Sequence, residues 1–152
     1  MVLPAGTAAP AFEAPDAEGK TWGLDALRGR PFVLTFYPKD ETAGCVKQTC
    51  AFRDVWSDFR DADVEVFGVS RDDAESHSSF ATNRRLPYRL LTDASGQMHK
   101  AYDVGRTFGA TNRVSYLVDA QGRIAEAYKG NLSPEAHAER MLTAARALAR
   151  RA

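Results

Sequence analysis

Two cysteines, Cys45 and Cys50, are the only thiols in the 152 residues. They close the run Pro38-Lys39-Asp40-Glu41-Thr42-Ala43-Gly44-Cys45-Val46-Lys47-Gln48-Thr49-Cys50. The run follows an apolar stretch that reads as a strand, and it opens what reads as a helix. A helix N-terminus favours the thiolate, the form in which cysteine attacks and is oxidised. A pair of thiols so placed points to redox chemistry more than to architecture. Taken alone, the pair also fits two inert cysteines, one buried as a small hydrophobe and one exposed by chance.

The flanking residues narrow this. Gly44 lets the backbone turn tightly and leaves amide N–H groups facing an incoming oxygen. Thr42 can set its hydroxyl beside the sulfur, or it can act as the helix N-cap. Pro38 closes the strand and is placed either to shield a pocket wall or simply to end the strand. A helix dipole contributes about 0.3–1 kcal/mol and at most ~2. Moving a thiol from ~8.5 to about 6 takes roughly 3.4 kcal/mol, so a cation is needed as well. Arg113 opens a buried strand after a Gly/Ala/Asn loop able to lie against the site. An arginine there is either this partner or a solvent-exposed strand end.

The elements that must position these groups follow from hydrophobic patterning. Pro31 to Tyr37 is nearly continuous apolar sequence bounded by prolines, a central strand buried on both faces. Short extended pieces are expected near Phe12 and Trp22, and a helical turn at Leu24 to Arg28. A helix is expected from near Gly44 to Arg60, a second buried strand over Val64 to Ser70, and a helix from about Asp73 to Arg84. A strand at Tyr88 to Leu91 and a short helix from Gly96 to Tyr102 follow. An irregular Asp103 to Asn112 leads into a strand from Arg113 to Asp119, a turn at Ala120 to Arg123, and a returning strand from Ile124 to Tyr128. The last helix starts at Pro134, with Ser133 as N-cap. This order predicts one domain over residues 1–152, a three-layer α/β fold with a central mixed sheet flanked by helices, as in thioredoxin-like folds.

On a helical wheel, Phe52, Trp56 and Phe59 fall within about 40° of Cys45, and Gln48 and Val55 within about 80°. Cys45 therefore faces the sheet. Cys50 lies about 140° away, among Lys47, Arg53, Asp54 and Ser57, on the expected solvent side. Five helical residues rise roughly 7.5 Å, which puts the Cα atoms about 8 to 9 Å apart. A disulfide tolerates no more than ~7 Å, so the pair cannot bond while the helix is intact.

Composition excludes several classes. Lysine plus arginine and aspartate plus glutamate number 20 each, so no long-range field favours nucleic acid or acidic membranes. The Arg146, Arg150 and Arg151 cluster reads as charge at a helix C-terminus. No run approaches the ~18 apolar residues of a membrane span, and Met1 to Pro15 lacks the pattern of a secretory signal. The cytoplasm is the expected compartment. His77, His99 and His137 are scattered and form no metal-ligand spacing with the cysteines. Asp72-Asp73 and Asp61/Asp63 read as helix N-terminal and loop charges. No metal or other cofactor is expected, and the glycines match no phosphate loop or dinucleotide fingerprint.

Pro38-x-x-x-Thr42-x-x-Cys45 resembles the active-site signature of the peroxiredoxins. Phe36-Tyr37-Pro38-Lys39-Asp40, with Cys50 five after Cys45 and Phe52-Arg53-Asp54 beyond, is similar to the PrxQ/bacterioferritin comigratory protein branch. The likeness continues through Gly68-Val69-Ser70-Arg71-Asp72, Ser76-His77, Leu86-Pro87-Tyr88, Leu91-Thr92-Asp93, and Arg113 to Asp119. The resemblance implies a thiol peroxidase reducing hydrogen peroxide and organic hydroperoxides. Cys45 would be the peroxidatic cysteine, oxidised to a sulfenic acid, and Cys50 the resolving cysteine that condenses with it to an intramolecular disulfide. Thr42 and Arg113, with the Gly44 and Cys45 amides, would hold the peroxide, and Pro38 would shield the sulfenate. Thioredoxin or a similar dithiol would be the reductant, and the chain a monomer or weak homodimer.

The chain departs from this pattern at three places. Ala43 stands where proline is usual, Gln48 replaces the usual glutamate, and the Tyr102-to-Arg113 connection is short. Two other functions remain in competition: a protein disulfide oxidoreductase, which would need the Cys-x-x-Cys that is absent, and a redox-sensing interaction protein whose Cys45–Cys50 bond switches its partners.

Overall fold

The computed structural model describes residues 1–151. The strands of the central sheet and the helices between them follow the order that patterning predicts. β1 (Glu13–Pro15) and β2 (Thr21–Gly23) pair as a small antiparallel ribbon. The central sheet holds β3 (Phe32–Phe36), β4 (Glu65–Ser70), β5 (Arg89–Thr92), β8 (Val114–Val118) and β9 (Ile124–Lys129), in the order β5-β4-β3-β8-β9. β5, β4 and β3 run parallel, β8 lies antiparallel to β3, and β9 antiparallel to β8. The sheet is mixed, and the fold is thioredoxin-like.

β3 is central because its residues alternate between two separate cores. Phe32, Leu34 and Phe36 point to one face, where Phe12, Trp22, Met98 and Tyr102 cover them. Val33 and Tyr37 point to the other, toward α1 (Ala43–Asp54), α2 (Trp56–Asp61) and α5 (Ala136–Arg151). Burial on both faces explains the unbroken apolar run. Thr35 lies in the same alternation on the α1 and α5 side, opposite Ser115 of β8 in register. These two hydroxyls are the polar exceptions in two otherwise apolar strands.

α3 (Ala74–Arg84) begins at Asp73, whose side chain accepts the Ser76 N–H at 2.9 Å, as an N-cap does. α4 (Gln97–Ala101) is short, and β6 (Arg106–Thr107) with β7 (Ala110–Thr111) forms a small hairpin inside the stretch expected to be irregular. Two further expectations need correction. The single helix from Gly44 to Arg60 is two, α1 and α2, broken at β-branched Val55, which leaves helical geometry at φ −118° and ψ 17°. The last helix starts at Ala136 rather than Pro134; residues 134–135 form a turn, and Ser133 accepts the Ala136 N–H through its backbone. Leu24 to Arg28 forms the expected turn, with the Leu27 N–H donating to the Gly23 carbonyl at 3.2 Å and the Arg28 N–H to the Asp25 carbonyl at 3.3 Å. No described helix is long and apolar enough to cross a membrane.

Candidate active site

β3 ends at Phe36, and the chain crosses the top of the sheet through Tyr37 to Asp40 before α1 begins. β8 runs antiparallel beside β3, so the residue before β8 stands next to this crossing. That residue is Arg113. The fold therefore brings the Pro38–Asp40 loop, the first turn of α1 and Arg113 together, although 68 positions separate Arg113 from Cys45.

Cys45 is fully buried, and its sulfur receives two N–H donors. The Lys39 backbone N–H lies at 3.4 Å and Arg113 Nη1 at 3.3 Å. Arg113 Nη1 also donates to Gln48 Oε1 at 3.1 Å, and its guanidinium meets no carboxylate among the described residues. The cation is therefore left to the sulfur. Its backbone is held on both sides: Arg113 N–H donates to Asn131 Oδ1 at 2.7 Å, and its carbonyl accepts the Gly130 N–H at 3.1 Å. Gly44 is required for a reason beyond turning. A Cβ there would run into the Arg113 guanidinium, which lies directly against the glycine.

Thr42 is the N-cap of α1 by backbone conformation, but its hydroxyl caps no N–H. It donates instead to the Lys39 carbonyl at 2.8 Å, at the exposed mouth of the loop. Of the two alternatives for Thr42, the N-cap holds by position, while the side chain ties the loop that aims the Lys39 N–H. Pro38 is half-buried between β3 and that loop.

Beneath the loop lies a polar bracket. Tyr37 donates to Asp40 Oδ1 at 2.6 Å, and Ser76 and His77 bond Asp40 Oδ2 at 2.8 and 2.7 Å. His77 also reaches the Leu91 carbonyl, and Asp72 accepts the Asp40 N–H and the Ser70 hydroxyl. Burial pushes the Asp40 carboxyl up, but the bonds from His77, Tyr37 and Ser76 outweigh it and hold the group below its ordinary value. Burial and the Asp40 charge push Tyr37 well up. Ligand atoms of Asp40, Asp72 and His77 lie within 4.8 Å of one another, but each is engaged in these bonds. The trio anchors the loop. Tyr37 can reach it because Gly68 leaves space beside its ring.

Cys50 departs from its expected place. It is half-buried rather than solvent-facing, packed against the core beneath α1. The wheel accounts for one helix and not for what packs on it. Here Tyr88, in the connection before β5, crosses that flank and donates its hydroxyl to the Thr49 carbonyl at 2.6 Å. Tyr88 and Arg53 are its ionisable neighbours on that flank. Both cysteines are free thiols on one continuous helix.

The sequence matches the AhpC/TSA family over residues 5–127. The chain belongs to that family. Its relatives place it among the peroxiredoxin Q proteins. It is 41% identical over 139 residues to the chloroplastic peroxiredoxin Q of Populus jackii, covering 90% of this chain and 65% of that protein. Against the Sedum lineare protein of the same name it is 39% identical, covering 75% of it. The chain thus spans somewhat less than two thirds of the length of the Populus relative. Among solved structures, peroxidoxin BcpB from Mycobacterium tuberculosis superposes with a TM-score of 0.89 at 31% identity, over 96% of this chain and 98% of that one. A Xanthomonas campestris bacterioferritin comigratory protein with alkyl peroxide reduction activity gives 0.87 at 27% identity, over 96% of this chain and 99% of that one.

In this peroxiredoxin the fold brings Cys45, Gly44 and Arg113 to one point, with Thr42 and Pro38 at the rim. Sequence reasoning missed Lys39, whose contribution is a backbone N–H and so leaves no mark on residue type. It also missed the Thr35, Ser115 and His137 chain behind Gln48. A hydroxyl near the middle of each of two buried strands was the available signal.

Proposed function

We propose that the chain is a thiol-dependent peroxidase acting on hydrogen peroxide and organic hydroperoxides. The observation that carries this is the convergence of two N–H donors on one buried sulfur. Both favour the thiolate, and donors beside a buried reacting centre also stabilise charge that develops on a neighbouring oxygen. The Cys45 thiolate attacks one peroxide oxygen; an S–O bond forms, the O–O bond breaks, and the second oxygen leaves as alkoxide or hydroxide and takes a proton. Cys45 is then a sulfenic acid. The Cys50 thiol attacks that sulfur, an S–S bond forms, and the hydroxyl leaves as water. A dithiol of the thioredoxin class returns both cysteines to thiols by disulfide exchange.

Within this cycle Arg113 and the Lys39 N–H hold the sulfur's charge, while Gly44 gives the guanidinium room. Thr42 stands at the mouth, its hydroxyl oxygen keeping a lone pair for a peroxide proton, and Pro38 flanks the crossing. Because both cysteines lie on intact α1, the first turns of the helix must open before the sulfurs meet. The likeness to the Xanthomonas protein supports organic hydroperoxides as part of the substrate range.

Peroxide consumption with a thioredoxin system, for wild type and Cys45→Ser, tests the reading. The variant is expected to fall to the uncatalysed rate; unchanged turnover would sink the proposal. A slow single oxidation with no turnover in the wild type would instead support a redox-sensing interaction protein.

A further inference from the structure

Behind the candidate site, a line of side chains crosses the layer between the sheet and its helices. Gln48 Nε2 lies 2.7 Å from Thr35 Oγ1 and 3.1 Å from the Phe36 carbonyl. Thr35 Oγ1 lies 2.7 Å from Ser115 Oγ, and Ser115 Oγ lies 2.8 Å from His137 Nδ1. His137 Nε2 lies 2.9 Å from the Gly130 carbonyl, and the Gly130 N–H returns to the Arg113 carbonyl. Thr35, Gln48, Ser115 and His137 are all fully buried. We propose that His137 is a positioning residue for Cys45: by accepting the Ser115 proton it fixes a one-way chain of hydrogen bonds that holds Arg113 on the sulfur.

The direction of every bond follows from what each atom can do. The Gly130 carbonyl only accepts, so His137 Nε2 carries the ring proton. Burial and the Arg113 charge push His137 down to about 4, so the ring is neutral and Nδ1 is bare. Ser115 therefore donates to Nδ1 and must accept from Thr35. Thr35, having given its proton to Ser115, accepts from Gln48. The second Gln48 amide proton goes to the Phe36 carbonyl, and Oε1 is left for Arg113. Turning the amide over would set oxygen against the Phe36 carbonyl and NH2 against the guanidinium. The circuit is fully satisfied only in this sense, and a satisfied buried network resists alternatives strongly.

Remove the acceptor at Nδ1 and the fault moves along the chain. Ser115 can then donate only to Thr35, whose own proton is left without an acceptor because Gln48 offers it N–H. The misfit ends at Gln48, the group that carries the guanidinium contact. Two cations act near His137: Arg113, just before β8, and Arg140, resting on the Tyr128 ring that meets His137 edge-on at 4.7 Å.

The inference rests on Cys45 being the reacting thiol, so its test reads the sulfur without peroxide. The intact chain is alkylated with iodoacetamide and then digested for mass spectrometry; trypsin cuts after Lys47, so Cys45 and Cys50 fall on separate peptides. In His137→Asn, Oδ1 takes the place of Nδ1 and keeps the acceptor. In His137→Gln, Nε2 keeps the Gly130 bond but the acceptor is lost. His137→Gln should slow Cys45 alkylation at pH 6.5 about three- to tenfold and move its pH profile upward, with Cys50 unaffected. His137→Asn should stay within about twofold of wild type. Ser115→Ala removes the relay without touching α5; it should match His137→Gln and decides the matter if the helix variants do not fold. Wild-type alkylation in His137→Gln or Ser115→Ala overturns the proposal, as does equal loss in His137→Gln and His137→Asn, which would mean packing alone. If alkylation responds as expected while wild type turns over no peroxide, only the peroxidase reading fails.

Discussion

Cys45 takes two N–H donors on a fully buried sulfur, whereas Cys50, five residues on in the same helix, is half-buried and has no hydrogen bond to its sulfur among the described residues. The two ends of α1 are also held differently. The Cys45 end is framed by the Asp40 bracket on one side and the Gln48-to-His137 chain on the other. The Cys50 end is tied by Tyr88 to the Thr49 carbonyl and by Arg53 to the Arg84 carbonyl. One thiol is placed where negative charge on sulfur is stabilised; the other is packed against a phenol and apolar side chains. The difference teaches that identical side chains on one helix acquire opposite surroundings from what reaches them across space.

The largest effect is expected from Arg113→Met. Loss of one charge-stabilising donor typically costs about 10²- to 10³-fold. Cys45 alkylation at pH 6.5 and peroxide consumption should both fall by that order, while Cys50 alkylation stays unchanged. Equal slowing of both cysteines would erase the contrast.

Acid should separate the two ends next. His137 in the folded chain lies at about 4, below its ordinary 6.5, so the unfolded chain takes up the proton first as pH falls. The stability this provides is complete above pH 6.5 and is lost between 6.5 and 4, amounting to about 3 kcal/mol. Denaturant unfolding at pH 7 and 4.5 should show most of that loss in wild type and much less in His137→Asn. His99, also pushed down by burial, contributes in both proteins and cancels in the difference. Near Cys50, burial raises Tyr88 and the Asp54 bond raises Arg53, so neither titrates in this range. Amide exchange should therefore speed up at residues 43–47 before residues 49–53. Equal acceleration would break the comparison.

Gly44→Ala should have the smallest effect and sharpen the contrast most. Alanine in a helix stabilises by roughly 0.5–1 kcal/mol over glycine. Here its Cβ would displace the flexible end of Arg113. Thermal stability should hold or rise, while Cys45 alkylation slows by about tenfold, roughly one lost hydrogen bond. Cys50 should not respond. A rate equal to wild type would show that the guanidinium tolerates the methyl group.

Much of this was legible before any coordinates. The apolar run at β3, the Gln-Gly turn before β9 and the capped start of α3 are local signals, and each element appears within a few residues of its expected place. The inward face of Cys45 followed from the spacing of Phe52 and Phe59. The break at Val55 was not legible, since nothing in residue types from 44 to 60 demands it. Nor was the burial of Cys50, because Tyr88 arrives from another element. Lys39 was invisible for a different reason: any residue except proline offers the same N–H.

The sequence by itself determined which chemistry is available: two thiols at fixed spacing on one helix, a glycine before the first, and a lone arginine opening a strand. These are properties of residue type and helical period. Tertiary structure alone decided which thiol meets a cation and a backbone N–H, and what holds them there. The antiparallel pairing of β3 and β8 sets Arg113 beside Cys45 and Thr35 opposite Ser115. Hydrogen bonds act over about 3 Å, and partners 13 to 80 residues apart become neighbours only when the sheet closes around them.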